Sequence, residues 1–418
     1  MRPRSLALLF GLLLSSGLPA AAGPGTKPWV EHGEVPVAVA VRSVEILRSD
    51  EPLSMRPDKA APRRGAAAKG ARLPLYAAAR GPGCAERWLL VGPLAWVCES
   101  VVRLSSDPAL LPIESAPLSD GLPHRYYFVG PDGSLGYAKL SLAEEGIPDA
   151  QFEPGFAVGI VQVAQRRADP FGLTTHGYWL PMRDLAPARP LAFDGARLNA
   201  KLDVAWVNTE TTPVYAAPNG PRQKDQVRTR FEQLAVLESR TLGGSQWIRI
   251  GETEWVKGRD LRTASPASPP EGLFSGERWI DVDLENQVLT AYEGDRPVFA
   301  TLVSTGKGRG KSPQATPKGA RRIWVKLVSH DMDNLEDEEA LRYYAMQAVP
   351  WVMFFDRGYG LHGTFWHRSF GNVRSHGCVN LTPRDAEWLF RWTSPHLPAG
   401  WTAALPTDYE LGTLVRVR

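Results

Sequence analysis

Apolar and polar residues alternate over short stretches along most of the chain, and turn-forming residues separate these stretches. Residues 279–284 alternate as a half-buried strand, and the apolar runs 288–292 and 298–304 follow after short polar turns. A period of two is the pattern of a strand that buries one face. The sequence therefore predicts a mainly β protein with an antiparallel meander over 279–304.

Other parts of the pattern predict further elements. Residues 55–72 are rich in Pro, Ala, Gly and basic side chains, so we expect a mobile loop. Apolar positions at helical spacing predict short helices over 334–347 and 382–394. Thr382 is the expected N-cap of the second helix, because a proline suits the first turn that follows it. We expect strands at 35–47 and 323–328 and a β-hairpin over the apolar segment 88–97.

A short motif recurs within the first 263 residues. The sequence at 75–78 returns at 214–217, the tryptophan pair 88 and 96 has the spacing of the pair 247 and 255, and a weaker copy ends at 178–185. Short strands with a tryptophan on the last hairpin predict small β-barrels. The pattern resembles bacterial SH3-like domains, which are found in exported cell-wall enzymes. We expect such modules at 35–110, 120–190 and 203–263, with Trp96, Trp179 and Trp255 packed in their cores.

The first residues are typical of a secretory signal peptide. Arg2 and Arg4 precede the apolar run 6–14, and small residues offer a cleavage site before Gly23. The run is too short to span a bilayer, so we expect 1–22 to be removed and the protein to reach the periplasm or cell envelope. An uncleaved membrane anchor is the alternative. No later segment is apolar enough to cross a membrane.

The formal net charge of the 418 residues is +3, and no patch of basic and aromatic residues is present, so nucleic acid is not an expected partner. Residues 264–275 are a Pro/Ser/Gly-rich linker ahead of a final domain at 276–406. Disulfides persist outside the cytoplasm, and Cys84 and Cys98 flank the predicted hairpin, so they can pair. Cys378 then stays unpaired, as a partner for another chain or as a reactive thiol, and nearby histidines favour the thiol.

The segment 361–381 contains this cysteine together with His362, His367 and His376. A glycine-containing loop separates His362 from Cys378, so it can fold back and bring the two side chains together. A histidine activates a thiol either as a base or as the cationic half of an ion pair. Because the loop has no acidic residue, we expect the carbonyl of Gly363 to hold the other imidazole nitrogen.

The stretch Ser375-His376-Gly377-Cys378 suits an oxyanion hole. Its backbone N–H groups at Gly377 and Cys378 would face a developing negative oxygen, and such donors are worth about 3–4 kcal/mol each in acyl transfer. Glycine permits the close approach that this geometry requires.

The motif HG-x(11)-SHGCVN resembles the active site of the L,D-transpeptidases, which have a YkuD-type catalytic domain, and about residues 276–394 fit. The elements at 304–306 and 316–319 also match. The resemblance implies a β-sandwich-like domain with short helices, Cys378 as the nucleophile and His362 as the general base. It makes Ser375, His376, Gly377 and Gly363 the support around them, and we expect Trp366, Arg374 and Asn380 to line the substrate site.

Asn380 stands where many members of the family have an arginine, so the group that holds the substrate carboxylate is open, and Arg374 or Arg368 could compensate. The implied substrate is a peptidoglycan stem tetrapeptide: the thiol displaces D-alanine, and an amine of another stem resolves the thioester to a 3→3 cross-link. The resemblance implies no metal or cofactor. The β modules could hold a wall polymer.

Several alternatives stay open. Cys378 could be an inert core thiol, and His376 could hydrogen-bond within the loop without transferring a proton. A zinc site from Cys378, His362, His367 and His376 lacks the usual paired ligand spacing. An L,D-carboxypeptidase, in which water resolves the thioester, and a wall-binding protein with an idle catalytic domain are the rival functions.

Overall fold

A computed structural model describes residues 40–109, 120–166, 168–310, 312–335 and 344–418. The predicted signal peptide, residues 1–22, lies outside these ranges, as does the start of the strand predicted at 35–47. Strands dominate the described residues, which confirms the mainly β class. Neither of the two described α-helices is long and apolar enough to cross a bilayer.

The first segment contains the predicted hairpin over 88–97. The sulfur atoms of Cys84 and Cys98, which flank it, are bonded at 2.04 Å. Trp88 and Trp96 are buried beside this disulfide. The strands are β1 Ser43–Ile46, β2 Glu51–Ser54, β3 Arg63–Ala67, β4 Arg72–Pro74, β5 Ala77–Ala79, β6 Trp88–Gly92, β7 Ala95–Cys98 and β8 Val102–Ser105.

The loop predicted over 55–72 is wrong for Arg63–Ala67, which is strand β3. This strand pairs on one side with β2 and on the other with the strand Trp401–Ala404, near the end of the chain. Small side chains allow this fit, because a Cβ on Gly65 would lie 2.3 Å from the carbonyl oxygen of Ala403. The Gly- and Ala-rich composition that resembles a loop is therefore a requirement of close strand packing.

The second segment lies against the strand that carries Ala348 and Trp351. The hydroxyl of Tyr126 donates to the carbonyl of Ala348 at 2.5 Å, and the indole N–H of Trp351 donates to the carbonyl of Gly121 at 2.7 Å. Trp179 is half-buried. The elements are β9 Arg125–Val129, β10 Ser134–Gly136, α1 Leu140–Glu145, β11 Ala150–Phe152, β12 Ala157–Arg166, β13 Asp169–Thr174, β14 Trp179–Pro181 and β15 Leu185–Pro187.

The third segment forms two small sheets around a shared apolar core that includes Ala205, Val214 and Ile248. Trp247 and Trp255 are buried with Tyr215 in a separate aromatic cluster. Among the described residues no sheet closes on itself, so the strand pairing does not establish the predicted barrels. Strand β16, Ala196–Arg197, precedes this segment and pairs outside its two sheets. The strands of the two sheets are β17 Val204–Val207, β18 Thr211–Tyr215, β19 Arg222–Thr229, β20 Gln233–Ala235, β21 Glu238–Leu242, β22 Ser245–Arg249, β23 Trp255–Lys257 and β24 Leu261–Thr263.

The fourth segment begins with the predicted meander, formed by the strands Arg278–Asp283, Val288–Glu293 and Arg296–Leu302, which the strand pairing confirms. The strand Leu414–Val417 lies beyond the predicted boundary at residue 406 and pairs in parallel with the first strand of the meander. The elements are β25 Arg278–Asp283, β26 Val288–Glu293, β27 Arg296–Leu302, β28 Gly319–Arg322, β29 Val325–Asp333, β30 Ala345–Asp356, β31 Tyr359–Gly363, β32 Val379–Leu381, α2 Pro383–Trp392, β33 Trp401–Ala404 and β34 Leu414–Val417.

The two predicted helices of this segment have different outcomes. Helix α2 is confirmed, and its N-cap Thr382 accepts a hydrogen bond from the backbone N–H of Asp385 at 3.3 Å. The helix predicted over 334–347 is wrong at its end, because β30 begins at Ala345. Residues 336–343, the centre of that prediction, lie outside the described residues.

One apolar core joins the first and fourth segments. Val44, Leu53 and Leu89 belong to the same buried cluster as Ile280 and Met353. The first segment thus shares a buried core with the final domain. Strands β30, β31 and β32 lie next to this core and carry the residues described below.

Candidate active site

The predicted histidine is on strand β31, and the predicted cysteine directly precedes the neighbouring strand β32. The two strands are parallel, and His362 lies opposite Asn380 in their register. Cys378 lies one residue before β32 begins, and its Sγ is 3.7 Å from the carbonyl oxygen of Gly358, just ahead of β31. The thiol therefore lies beside the start of the strand that carries His362, although the two residues are sixteen positions apart in sequence.

The imidazole of His362 is buried and held in one tautomer. Its Nδ1 lies 3.1 Å from the carbonyl oxygen of Gly363, the acceptor that the sequence predicts. Nδ1 must carry the proton to donate to this carbonyl, so Nε2 keeps a free lone pair. Burial lowers the pKa of His362 to about 4, so the ring is neutral at pH 7. A neutral imidazole with a free Nε2 is a base.

Cys378 is half-buried and is the free cysteine of the described residues. Burial raises the pKa of its thiol, and a hydrogen bond from the backbone N–H of Gly360 opposes that rise. Its Sγ also lies 3.7 Å from the carbonyl oxygen of Gly358. With the thiol pKa raised and the imidazole pKa lowered, the pair rests uncharged. Both shifts favour the neutral forms, so the thiol needs a base to take its proton as the sulfur attacks.

The loop before the cysteine is fixed by side-chain hydroxyls. Ser375 Oγ donates to the carbonyl of Cys378 at 2.5 Å and accepts from the N–H of Gly377 at 3.1 Å. Thr316 Oγ1 donates to the carbonyl of Gly377 at 2.8 Å. Because the Gly377 N–H already has an acceptor, it does not face an oxyanion here. The role of the Cys378 N–H as an oxyanion donor stays a prediction.

Gly377 is required by its surroundings. Its φ is +129°, and a Cβ at this position would lie 2.3 Å from Cε1 of the Tyr359 ring. The hydroxyl of Tyr359 donates to the carbonyl of Pro313 at 2.9 Å, so the ring is anchored at its far end. The sequence offers the glycine as a signal, but nothing in it identifies Tyr359 as the neighbour.

His376 is exposed and lies between two groups that the sequence did not single out. Its ring stacks on Tyr344 with a centroid separation of 5.8 Å, and its Nε2 lies 3.3 Å from Nζ of Lys307. An ammonium only donates, so Nε2 accepts this bond. Burial, Lys307 and Arg374 lower the pKa of His376. A neutral ring whose Nε2 is occupied favours the alternative of a loop hydrogen bond over proton transfer.

His367 contacts Asn380, one of the predicted substrate residues. The N–H of Ser369 donates to its Nδ1 at 3.1 Å, and its Nε2 lies 2.8 Å from the side-chain amide of Asn380. A neutral imidazole that accepts at Nδ1 carries its proton at Nε2, so the amide orientation that satisfies this contact turns Oδ1 toward the ring. Asn380 is buried beside His367. The predicted contact with substrate would have to use the amide atom of Asn380 that does not face this histidine.

The other predicted substrate residues lie around these groups. Trp366 stacks on the His362 ring at a centroid distance of 5.7 Å. Arg374 and Arg368 are exposed, and the backbone N–H of Arg374 donates to the carbonyl of Thr305 at 2.9 Å. Sequence reasoning found Arg374 but missed Lys307, although Lys307 directly follows the family-like element 304–306. In the parts of the chain that the structure describes, no three His, Cys, Asp or Glu side chains gather as a metal ion would need.

Comparison with known proteins agrees with the motif. Residues 277–417 match the family model described as the L,D-transpeptidase catalytic domain, YkuD. The chain is 27% identical over 134 residues to the putative L,D-transpeptidase YciB of Bacillus subtilis (strain 168). That match covers 28% of this chain and 62% of the relative, so the chain spans less than two thirds of that protein's length.

Solved structures of L,D-transpeptidases are also similar to parts of the chain. The catalytic domain of the E. faecium enzyme is 25% identical, with 34% of this chain and 98% of that chain covered and a TM-score of 0.26. L,D-transpeptidase 3 from Mycobacterium tuberculosis is 17% identical, with 42% and 78% covered and a TM-score of 0.27. Scores this low do not establish a shared overall fold, and the match to the family model is what identifies the domain.

Proposed function

Because residues 277–417 form an L,D-transpeptidase catalytic domain, we propose that the protein acylates Cys378 with a peptidoglycan stem peptide and transfers the acyl group to an amine. The observation that carries the proposal is the neutral His362, held at Nδ1 by Gly363 on strand β31, with the Cys378 thiol beside the start of that strand. A base and a half-exposed thiol in this arrangement supply a cysteine nucleophile.

The reaction consists of two acyl transfers. His362 Nε2 takes the thiol proton as Sγ attacks the carbonyl carbon ahead of the terminal D-alanine. The tetrahedral intermediate then expels the D-alanine amine, which takes the proton from the imidazolium, and a thioester remains. The amine of a second stem attacks this thioester and gives a proton to His362 Nε2. The Cys378 thiolate leaves and takes that proton from the imidazolium, and a 3→3 cross-link remains.

We assign the substrate carboxylate to a pair of cations, Arg374 and Lys307. Both side chains lower the pKa of His376, which supports their proximity to one another beside the cysteine loop. Asn380 is engaged by His367 and carries no charge, so it is a poor substitute for the arginine that many family members have. Arg374→Ala should raise KM more than it lowers kcat, because a carboxylate that keeps its charge is held in ground and transition states alike.

We further propose that residues 1–22 direct export and that the protein works in the periplasm or cell envelope. In the same proposal the three segments before the linker are SH3-like modules that hold the enzyme near a wall polymer. The buried tryptophan pairs, 88 with 96 and 247 with 255, support the modular interpretation, because each lies on a β-hairpin at the same spacing.

Intact-mass spectrometry of the mature protein, with and without a carbapenem, tests the chemistry. One acyl adduct should appear on the wild type and none on Cys378→Ala, whose circular dichroism should be unchanged. An adduct that persists on the variant would show that another residue is the nucleophile. With stem tetrapeptides as substrate, dimers and free D-alanine are expected, whereas tripeptides without dimers would make the protein a carboxypeptidase.

A further inference from the structure

Hydrogen bonds hold the loop between β31 and β32 on two sides. Its inner side is fixed by the chain after β27: the N–H of Gly371 donates to the carbonyl of Val303 at 2.8 Å, and Ser304 Oγ donates to the carbonyl of Asn372 at 2.7 Å. These bonds belong to the catalytic domain itself. The outer side of the same two residues contacts a different part of the chain.

The outer contacts come from the third segment, which precedes the linker. The side-chain amides of Asn208 and Asn372 exchange two hydrogen bonds, each 3.2 Å long. Arg262 Nε donates to the carbonyl of Gly371 at 2.8 Å. Gly371 has a φ of +83°, and a Cβ there would lie 2.3 Å from Asn208 Oδ1. Only glycine leaves room for so close an approach of the two segments.

An aromatic contact supports these polar ones. The rings of Phe193 and Phe231 stack 5.3 Å apart, and Phe193 meets the edge of the fully buried Phe370 at 5.5 Å. Phe370 belongs to the same apolar cluster as Trp206 of the third segment. The loop residue that precedes Gly371 is therefore packed in a core that two segments share.

Residues 370–372 are connected to His362 through a series of side-chain contacts. Phe370 lies against His367, with ring centroids 5.3 Å apart, and His367 is hydrogen-bonded to Asn380. His367 follows Trp366, whose ring covers the imidazole of His362. A shift of residues 370–372 would therefore be transmitted to the packing that keeps His362 buried and neutral.

We propose that Asn208 and Arg262 are positioning residues for the thiol chemistry: they hold the loop that packs Trp366 and His367 around the base. In this role the third segment is a part of the active-site support in addition to any wall contact. The inference rests on the proposed function, because it assumes that Cys378 is the nucleophile. The quantity that it predicts is the reactivity of the Cys378 thiol, which can be measured without the natural substrate.

The test measures the rate at which iodoacetamide alkylates Cys378 in the full chain. The pH is varied from neutral to a value above the pKa of the thiol. Asn208→Ala and Arg262→Ala should each slow alkylation about tenfold at neutral pH, where the base must remove the proton. The rates should converge with the wild type at high pH, where the thiolate forms unaided. Simple loosening of the fold would instead expose the thiol and speed alkylation at every pH.

Two matched variants complete the design. Arg262→Lys keeps a cationic donor within reach of the Gly371 carbonyl and should recover most of the neutral-pH rate. Arg259→Ala removes an exposed arginine from the turn just before β24 and should leave the rate unchanged. A rate within twofold of the wild type for Arg262→Ala, or an equal loss in Arg259→Ala, would overturn the proposal. Carbapenem acylation is measured in a separate experiment. If the proposed function is wrong, the alkylation rates still test the role of Asn208 and Arg262.

Discussion

The rings of His362 and Trp366 lie almost parallel, with planes 20° apart and centroids 5.7 Å apart. The indole covers one face of the imidazole and helps to keep water away from it. Burial removes the hydration that stabilises a charged imidazolium, and a neutral imidazole depends on that hydration much less, so the pKa falls. The stack thus provides a histidine that is ready to accept a proton without first having to lose one.

The first prediction concerns this uncharged resting pair. The alkylation rate of wild-type Cys378 should reach its maximum only above about pH 8.5, the ordinary thiol pKa, because burial raises the pKa of this thiol. The base itself should become protonated only near pH 4, so the activity of the base should persist in mild acid. An alkylation rate that already has its full high-pH value below pH 7 would contradict this and indicate a thiolate–imidazolium pair.

His362→Gln checks the same assignment from the other partner. Loss of the base should lower the rate of carbapenem acylation about 10²–10⁴-fold at pH 7, the usual contribution of a general base. His396→Gln is the control, since His396 is exposed and distant in sequence from the loop. Equal acylation rates for His362→Gln and the wild type would remove the histidine from the mechanism.

The second prediction concerns Gly377. Gly377→Ala places a methyl group against the anchored ring of Tyr359 and also requires a residue with a side chain to adopt a φ of +129°. We expect a loss of about 1–3 kcal/mol in the free energy of unfolding, together with slower acylation. Chemical denaturation and intact-mass time courses measure the two effects.

Gly310→Ala separates strain from contact in this experiment. Gly310 also has a positive φ, +60°, but nothing lies within 4 Å of the position of its Cβ. It should lose some stability and keep its acylation rate. If Gly377→Ala behaves in the same way as Gly310→Ala, the contact with Tyr359 does not shape the cysteine loop.

The third prediction concerns an ion pair that ties the second segment to β29. His176 Nε2 lies 2.7 Å from Asp331 Oδ2, and this hydrogen bond raises the pKa of His176. The pKa of Asp331 is lowered by its bonds to His176 and to the N–H of Ala348, which together outweigh its burial.

The signs of these shifts define a pH window. The contribution of His176 is complete below pH 6.5 and is lost as pH rises through its raised value. The contribution of Asp331 is complete above pH 3.8 and is lost as pH falls through its lowered value. His176→Ala should therefore cost the most between about pH 4 and 6.5, by about 0.2–1 kcal/mol for such a solvent-screened pair. Urea unfolding across this range measures it, and an equal cost at pH 9 would contradict it.

The fourth prediction concerns the buried Lys326. Its Nζ donates to the carbonyls of Phe390 and Thr393 at the end of α2, the latter at 2.8 Å. Burial lowers the pKa of Lys326 to about 7. The unfolded chain therefore binds a proton that the folded chain lacks between about pH 7 and 10.4, and folding stability rises with pH there.

Lys326→Met should remove this rise, which amounts to at most about 1.4 kcal/mol per pH unit. The free energy of unfolding at pH 7 and pH 9 measures the slope. Lys318→Met, at an exposed position, should keep the wild-type slope. Parallel pH dependences for the wild type and Lys326→Met would show that Lys326 is charged in the fold at neutral pH.

Local patterns in the sequence were enough to predict some elements but not others. The meander over 279–302 follows from period-two alternation, and α2 follows from its cap and its apolar face, because each depends on neighbouring residues. The acceptor for His362 could also be predicted, since its loop contains no acidic side chain. Strand β3 could not, because its small residues make it a strand only through pairing with β33 far along the chain.

The same limit applies to the site. The motif places Cys378 and His362 in the candidate site, because the family resemblance extends over that loop. Lys307 and Tyr344 are near the loop only through the fold, and Asn208 meets Asn372 across the linker. Contacts between distant segments depend on shape complementarity that no local pattern in a single sequence reports.

The pairing of β3 with β33 determines when this protein can complete its fold. A chain that grows from its amino end makes residues 63–67 hundreds of positions before the partner at 401–404 exists. Until then the edge of that early sheet has unpaired N–H and C=O groups, and its half of the core lacks a cover. The sheet that contains β3 is therefore completed only after residues 401–404 are made, and truncations that remove β33 should disturb the first segment as much as the domain they shorten.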